Sequence, residues 1–271
     1  MKHFLLILFL SLPLRAADST VDELLTGARV ALQLNKTNEA YAILNKALEK
    51  QPDNAQALFY RGRLFDILGE SQKAISDLTR AIENDPKSSQ SHQALGELYF
   101  KLGRFKDSVS EFEKVLALKP EDKPYHWQQG ISLYYAEQFL EGQRQFELHQ
   151  KVNKNDVENA VWHFLCLARQ KGISAARNQI LQVGPDMRVP MYEIYRLYQG
   201  KGGVDDVLKA AQESTDSKQS LFYAHLYLGL YADISGRKED AREHFRRATG
   251  EFAQPHYMGE VARIHLKSLT K

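Results

Sequence analysis

The side chains with the chemistry of catalysis lie in the middle of the chain, between residues 157 and 221. This stretch contains His163, Cys166, Asp186 and Glu193, and these residue types serve enzymes as nucleophiles, bases and acids. No spacing links them into a nucleophile–base pair, and no G-x-S-x-G nucleophile elbow occurs in the chain. The sequence therefore predicts that the protein is not an enzyme.

A resident metal or cofactor is not indicated either. The chain has nine histidines and one cysteine, but no His-Glu-x-x-His pair, and one thiol cannot build a cysteine-based zinc site or an internal disulfide. Cys166 lies in the apolar stretch 160–168, which favours a small core residue, with an intermolecular disulfide as the alternative. The segment 200–203, Gly-Lys-Gly-Gly, lacks the remaining residues of a phosphate-binding loop. We expect no metal, no cofactor and no small-molecule substrate.

A period of 34 residues organises most of the chain. Windows that begin at Val21, Ala55, Ser89 and Lys123 carry small residues at shared positions, and a fifth window beginning at Phe222 restores the pattern. Small side chains let two helices approach closely, where larger ones would overpack the contact. The eighth position holds Ala28, Gly62, Gly96 and Gly130, the twentieth holds Ala40, Ala74, Ser108 and Gly142, and the twenty-fourth holds Leu44, Leu78, Phe112 and Phe146.

This pattern resembles the tetratricopeptide repeat (TPR), in which each unit is a pair of antiparallel helices joined by a tight turn. Gly69, Gly103 and Gly236 fall where the first helix of a unit would end, which suits a residue that adopts positive φ. The thirty-second position, where a proline stops the second helix, holds Pro52, Pro86 and Pro120.

The predicted fold class is therefore all-α, a TPR-type solenoid of helix pairs with about 12–13 antiparallel helices, a degenerate middle and a C-terminal capping helix. Residues 17–156 form four N-terminal TPR units, residues 157–221 form degenerate helical repeats, and residues 222–271 form a C-terminal unit and the capping helix. Within the degenerate part, short helices are expected over 175–183, 192–198 and 204–211.

Three histidines, His92, His126 and His225, share the fourth position of their units. A shared repeat position indicates packing between helices rather than a set of metal ligands.

The first sixteen residues differ from the rest. Lys2 precedes the apolar run 4–10, and Ala16 and Ala17 form a small-residue cleavage site, which is typical of a signal peptide at 1–16. An ordinary N-terminal helix is the alternative. We expect a periplasmic or secreted protein, and no lipid anchor because no cysteine follows the leader. Without Lys2 and Arg15 the chain has 34 basic and 34 acidic residues, a balance that gives no reason to expect nucleic acid as a partner.

The order of the segments is similar to a narrower family. Three clear repeats lead into 130–135 (Gly-Ile-Ser-Leu-Tyr-Tyr), and the irregular middle contains 192–195 (Tyr-Glu-Ile-Tyr) before the unit at Phe222. This arrangement resembles the NlpI-type periplasmic TPR lipoproteins, although the lipid-bearing cysteine of that family is absent. The resemblance implies a homodimeric envelope adaptor that docks peptidoglycan hydrolases and a periplasmic protease.

The first helices of the units would line the concave side of such a solenoid. Positions two, five, nine, twelve and thirteen share one helical face and carry residue types that dominate interfaces. The predicted protein-binding groove comprises Phe59, Arg63, Asp66, Gln93, Glu97, Phe100, Lys101, Trp127, Tyr134 and Tyr135. Two alternatives stay open: the groove binds a partner, or the C-terminal helices fold back and bury Trp127, Tyr134 and Tyr135 as core.

We therefore predict a non-enzymatic, exported TPR scaffold that binds other proteins or peptides in the bacterial envelope, with cell-wall hydrolases or a protease as candidate partners. The alternative is a structural subunit of a secretion or outer-membrane assembly machine, in which the same surface would be permanently covered.

Overall fold

The computed structural model describes residues 19–270, and these residues fold into fifteen α-helices and one 3₁₀ helix, with no strand. The predicted all-α fold of helix pairs is confirmed. The fifteen α-helices of these residues outnumber the predicted twelve or thirteen. The predicted signal peptide at 1–16 lies outside the described residues.

The chain divides into two compact units, with the boundary between Pro86 and Lys87. Thr20 begins the first helix of the first unit with a capping box: its hydroxyl accepts the Glu23 N–H, and its own N–H donates to the Glu23 carboxylate. The helices of the first unit are α1 (Val21–Gln33), α2 (Thr37–Lys50), α3 (Ala55–Ile67) and α4 (Ser71–Asn84).

The second unit is built around helix α9 (Val157–Lys171), in which every residue from Asn159 to Ala168 is buried. A 3₁₀ helix (Pro120–Tyr125) precedes α7, which begins at Trp127 rather than at Lys123, the first residue of its 34-residue window. The helices of the second unit are α5 (Ser89–Lys101), α6 (Phe105–Leu118), α7 (Trp127–Tyr135), α8 (Phe139–His149), α9 (Val157–Lys171), α10 (Ile173–Asn178), α11 (Met191–Tyr198), α12 (Val204–Gln212), α13 (Ser217–Ile234), α14 (Lys238–Thr249) and α15 (Tyr257–Leu269).

The small residues hold the two helices of each pair close together, as predicted. A Cβ atom added to the glycine at the eighth position would overlap the large residue at the twenty-fourth position of the same pair, because carbon atoms in contact normally stay at least 3.4 Å apart. The shortest distance is 2.8 Å for Gly62 with Leu78, 2.6 Å for Gly96 with Phe112, 2.7 Å for Gly130 with Phe146 and 2.8 Å for Gly229 with Phe245. The two helices of each pair can pack this closely only because these positions carry no side chain.

The turns inside the pairs also follow the prediction. Gly69, Gly103 and Gly236 have φ of 75°, 74° and 78°, a left-handed conformation that glycine adopts without strain. Asn35 and Glu137 occupy the same turn position in the first and fourth repeats with φ of 55° and 62°. Asparagine tolerates this conformation, whereas glutamate is strained in it.

The predicted helix over 175–183 is wrong in its second half, since α10 ends at Asn178. The following residues, which we call the 179–190 segment, give their backbone hydrogen bonds to other parts of the unit. The Gly184 N–H donates to the Lys154 carbonyl at 3.1 Å, and the Gln182 carbonyl accepts the Gln150 side-chain amide at 2.8 Å. These tertiary bonds replace the bonds that a continued helix would have made.

Candidate protein-interaction site

In the first unit, the predicted groove residues lie on one face of α3. Phe59, Arg63 and Asp66 follow each other at intervals of four and three residues, and each is half-buried. Phe59 packs beside Tyr60 with ring centroids 5.3 Å apart, and the neighbouring Ile67 is 59% exposed. The face thus combines aromatic, apolar and charged groups, a composition typical of surfaces that bind polypeptides.

In the second unit, Gln93 and Glu97 of α5 belong to a hydrogen-bond network with α7. The Gln93 amide donates to Gln128 Oε1 at 2.8 Å, and the Gln128 amide donates to Glu97 Oε1 at 3.0 Å. His126 Nδ1 accepts the Gln129 N–H, so Nε2 carries the proton and donates to Gln93 Oε1 at 2.8 Å. Burial lowers the pKa of His126, which keeps this ring neutral. The network fastens α5 to the start of α7.

Helix α15 covers the aromatic residues of α5 and α7. Tyr257 stacks on Phe100 with ring centroids 5.0 Å apart and meets Trp127 edge-on at 5.2 Å. His265 Nδ1 lies 2.9 Å from the Tyr135 hydroxyl. Of the two alternatives, the fold-back of a C-terminal helix therefore describes Trp127 and Tyr135, although both rings remain half-buried rather than fully enclosed.

Tyr134 lies on a different side of α7, towards α9. It is 5% exposed, it meets Trp162 edge-on at 5.4 Å, and its hydroxyl accepts a hydrogen bond from Arg169 Nε at 3.2 Å. Burial raises the pKa of Tyr134 to about 12. Lys101, at the end of α5, is half-buried. The structure thus gathers Phe100, Trp127 and Tyr135 beneath α15, and Tyr134, which packs towards α9, meets Tyr135 edge-on with ring centroids 5.4 Å apart.

The sequence prediction did not include the residues of α15 that make this contact. Tyr257, Val261 and His265 are spaced by four residues, so they share one face of the helix. That spacing was visible in the sequence, but it identified only a helix with one buried side, and it did not indicate which surface the helix would cover.

A cavity of about 360 Å³, partly open to solvent, lies beside these aromatic residues. Its aromatic walls come from five helices: Trp127 of α7, Phe146 of α8, Trp162 of α9, Tyr223 of α13 and Tyr257 of α15. We call it the α15 cavity. Its volume is within the range of natural sites for small organic groups.

An ion-pair cluster borders the α15 cavity. The Arg188 guanidinium, from the 179–190 segment, lies 2.8 Å from Asp156, 2.5 Å from Glu158 and 2.7 Å from Asp186. Burial raises the pKa of Glu158, an effect that Arg188 opposes without cancelling. Burial acts on Asp156 in the same direction, but hydrogen bonds from His149 and Arg188 outweigh it and hold the pKa of Asp156 below its usual value.

The residues whose types could serve catalysis are buried or half-buried and pack against neighbouring helices. Cys166 is fully buried, and its sulfur would lie 3.0 Å from a Cβ atom on Gly142, so it fills the contact between α8 and α9. Burial raises the pKa of the Cys166 thiol. His163 Nε2 lies 3.4 Å from Glu147, and burial lowers the pKa of His163. Glu193 is half-buried on α11. Within residues 19–270, no group of three or more His, Cys, Asp or Glu side chains is placed to hold a metal ion.

The three histidines at the fourth repeat position pack between helices, as predicted. His92, His126 and His225 are 4%, 9% and 3% exposed. His92 Nδ1 lies 2.6 Å from the Glu111 carboxylate, and His225 Nδ1 lies 2.9 Å from His244 Nδ1. Each ring thus has a polar partner within its own unit, which satisfies the rule for buried polar groups.

Comparison with known proteins agrees with this geometry. Two family profiles, both described as tetratricopeptide repeat, match residues 25–89 and 68–128. Residues 25–128 therefore carry tetratricopeptide repeats. The TPR fold is generally a non-catalytic scaffold for protein interactions. A search of curated proteins found no match to the sequence.

Solved structures share the TPR fold over most of the chain. A tetratricopeptide repeat protein from Parabacteroides merdae is 17% identical with a TM-score of 0.62, and the match covers 93% of this chain and 99% of that one. PilF of Pseudomonas aeruginosa is 15% identical with a TM-score of 0.52, and the match covers 90% of this chain and 97% of that one. At these identities the likeness concerns the fold.

None of the helices between residues 19 and 270 combines the length and the apolar character needed to cross a membrane.

Proposed function

We propose that this TPR protein is a non-enzymatic adaptor that is exported to the bacterial envelope and holds other proteins there. The observation that carries the proposal is the docking of α15 on α5 and α7. Phe100 and Trp127 contact Tyr257 of α15, and Tyr135 contacts His265 of α15, in each case through their rings. A surface of this type therefore has the composition to bind an amphipathic helix or an extended segment of another protein.

The corresponding residues of the first unit are the proposed contact surface for a partner. Phe59, Arg63 and Asp66 occupy the same repeat positions on α3 that Gln93, Glu97 and Phe100 occupy on α5. Arg and aromatic side chains in half-buried positions are the usual anchors of protein interfaces. The resemblance to the NlpI-type family supports cell-wall hydrolases or a protease as partners, and it supports a homodimer.

Export is proposed from the first sixteen residues alone. A basic residue, an apolar run and a small-residue cleavage site support removal of residues 1–16 by signal peptidase. Mass spectrometry of the purified cellular protein tests this directly. We expect a mature N-terminus at Ala17 and recovery from the envelope fraction, whereas an intact N-terminus in the cytoplasmic fraction would refute export.

The adaptor function is tested by cross-linking and mass spectrometry in intact cells, followed by capture with variant proteins. We expect the double variant Phe59→Ala/Arg63→Ala to lose the cross-linked partner. The matched control is Lys73→Ala, because Lys73 is exposed on α4 outside the α3 face, and this variant should keep the partner. If both variants captured the partner equally, or if no protein partner were found, the proposal that the α3 face binds a partner would be refuted.

A further inference from the structure

The α15 cavity has aromatic walls that are suited to a positively charged group. Trp127 and Tyr257 meet at a right angle, with ring centroids 5.2 Å apart and an interplanar angle of 89°. Trp162 and Tyr223 add a second indole and a second phenol from other helices. The faces of indole and phenol rings attract cations, and the attraction grows when the cation leaves water.

The charged groups at the cavity point to the same ligand class. Asp156 and Glu158 line the cavity, and with Asp186 they surround one guanidinium, that of Arg188. Three carboxylates therefore face one permanent cation. His149 lies 3.6 Å from Asp156, and its hydrogen bond to Asp156 raises its pKa, so a protonated His149 is the second cation beside the three carboxylates. The surplus of negative charge favours a cationic ligand over an anionic one.

Buried polar atoms without a partner cluster around the same cavity. Asn159 and Trp162 line it and are 3% and 2% exposed, and their Oδ1 and Nε1 atoms have no hydrogen-bond partner. The Asn159 amide nitrogen donates to the Phe146 carbonyl and to Gln150 Oε1, both at 3.1 Å, which identifies Oδ1 as the unused acceptor. Unsatisfied buried groups are costly, so their grouping here indicates a site built for more than packing.

The cavity residues His256 and Tyr257 carry two more such atoms. Residues 19–270 contain six buried side-chain polar atoms without a partner, and four of them belong to residues that line the α15 cavity. Among these four atoms Asn159 Oδ1 is an unused acceptor that a ligand N–H donor would match, whereas the Asp156 and Glu158 carboxylates already accept hydrogen bonds from Arg188.

We propose that the α15 cavity binds an organic cation, and specifically the guanidinium or ammonium group of a basic side chain on a partner polypeptide. The polypeptide source rests on the proposed adaptor function, whereas the preference for a cation rests on the cavity alone. The side chain's methylene groups lie against the aromatic walls, and its charged end meets Glu158 and Asp156.

The chain carries its own reporter for this site. It contains two tryptophans, Trp127 and Trp162, and both line the cavity. Intrinsic tryptophan fluorescence of the full-length protein therefore follows the cavity without a label. The probe is the peptide acetyl-Gly-Gly-Arg-Gly-Gly-amide, and the same peptide with norleucine or with glutamate in place of arginine provides the neutral and the acidic control.

We expect a saturable fluorescence change with the arginine peptide, and binding at least fivefold weaker for the norleucine and glutamate peptides. Higher salt should weaken the binding of the arginine peptide, because salt partly screens its charge. The variant Glu158→Gln should weaken arginine binding about fivefold or more, whereas the matched Glu141→Gln, an exposed carboxylate on α8, should not. If Glu158→Gln fails to fold, Tyr223→Leu removes an aromatic wall at a half-buried position and gives the second test.

Equal binding of the arginine and norleucine peptides, or no saturable change, would overturn the proposal. Equal binding by tetramethylammonium chloride and by the arginine peptide would overturn the polypeptide source. These outcomes are separate from the partner capture that depends on Phe59 and Arg63, so failure of the cavity and failure of the adaptor function are distinguishable.

Discussion

The contact between Gly96 and Phe112 allows the role of the small residues to be measured. A Cβ atom on Gly96 would lie 2.6 Å from Phe112 Cε1 and 2.8 Å from Cδ1, whereas ordinary contact begins at 3.4 Å. In the variant Gly96→Ala, the ring or one of the helices α5 and α6 must therefore move by almost 1 Å. Overpacking of this kind costs about 1–3 kcal/mol of folding free energy.

The same substitution also has a stabilising component. Alanine is favoured over glycine inside a helix by about 1 kcal/mol, so the expected net loss for Gly96→Ala is about 1 kcal/mol. Gly27 provides the matched control. It lies inside α1, and its added Cβ would be 3.7 Å from Ile43 Cδ1, which is an ordinary contact. Gly27→Ala should therefore gain about 0.5–1 kcal/mol.

A second substitution can relieve the overlap. The first repeat carries Ala28 and Leu44 at the two positions that Gly96 and Phe112 occupy in the third, and both are fully buried. Phe112→Leu alone should lose about 1–2 kcal/mol because it leaves a small void. The double variant Gly96→Ala/Phe112→Leu has the same pair of residues, alanine and leucine, as the first repeat. Its loss should be smaller than the sum of the two single losses by about 1 kcal/mol or more.

Urea denaturation followed by circular dichroism gives the total free energies. Because the chain has two compact units, hydrogen exchange of peptides from α1–α2 and from α5–α6 should be measured in parallel to assign each change to its helix pair. If Gly96→Ala stabilised the protein as much as Gly27→Ala, the close contact between Gly96 and Phe112 would not limit the size of the side chain. The same conclusion would follow if the losses of the two single variants added up in the double variant.

Three further predictions use other parts of the structure. Glu137→Gly should raise the unfolding free energy by about 1 kcal/mol, because Glu137 has φ of 62° and glycine adopts that conformation without strain; thermal denaturation measures this, and an unchanged or lower midpoint would contradict it. Burial and the neighbouring His244 lower the pKa of His225 from 6.5 to about 4, so the unfolded chain takes up the proton first as pH falls from 6.5 to 4. The unfolding free energy of the second unit should therefore fall by about 1–3 kcal/mol over that range. His225→Gln should reduce this loss, which urea titrations at several pH values measure. Arg61 donates two hydrogen bonds of 2.6 and 3.0 Å to the Asp77 carboxylate, so Asp77→Asn should lower the unfolding free energy of the first unit by about 1–3 kcal/mol. Hydrogen exchange in α3 and α4 at the wild-type rate would contradict this.

The contacts inside each helix pair could be predicted from the sequence because both partners lie within one repeat. Gly96 and Phe112 are sixteen residues apart, and the same two positions recur in every window, so the period itself reveals that they meet. The left-handed turn at Gly103 follows from the same local pattern. The helix predicted over 175–183 was wrong in its second half because bonds from Lys154 and Gln150, far from that window, decide where its backbone groups are satisfied.

The candidate sites depended more on tertiary structure. Trp127 and Tyr135 look the same in the sequence whether they contact a partner or a helix of their own chain, since both environments favour aromatic residues. The structure decides in favour of α15, through a Tyr135–His265 contact that spans 130 residues. The α15 cavity could not be predicted for the same reason, because its walls come from residues of five helices and the 179–190 segment.

The sequence by itself determined the repeating helix pairs and the turns between their helices, since these depend on short-range spacing of small, aromatic and glycine residues. Only the tertiary structure decided which aromatic faces are covered and which remain open, and where carboxylates, indoles and unpartnered polar atoms come together. The physical reason is that burial of an apolar face is favourable against any complementary surface, so the choice of surface is set by the packing of the whole unit.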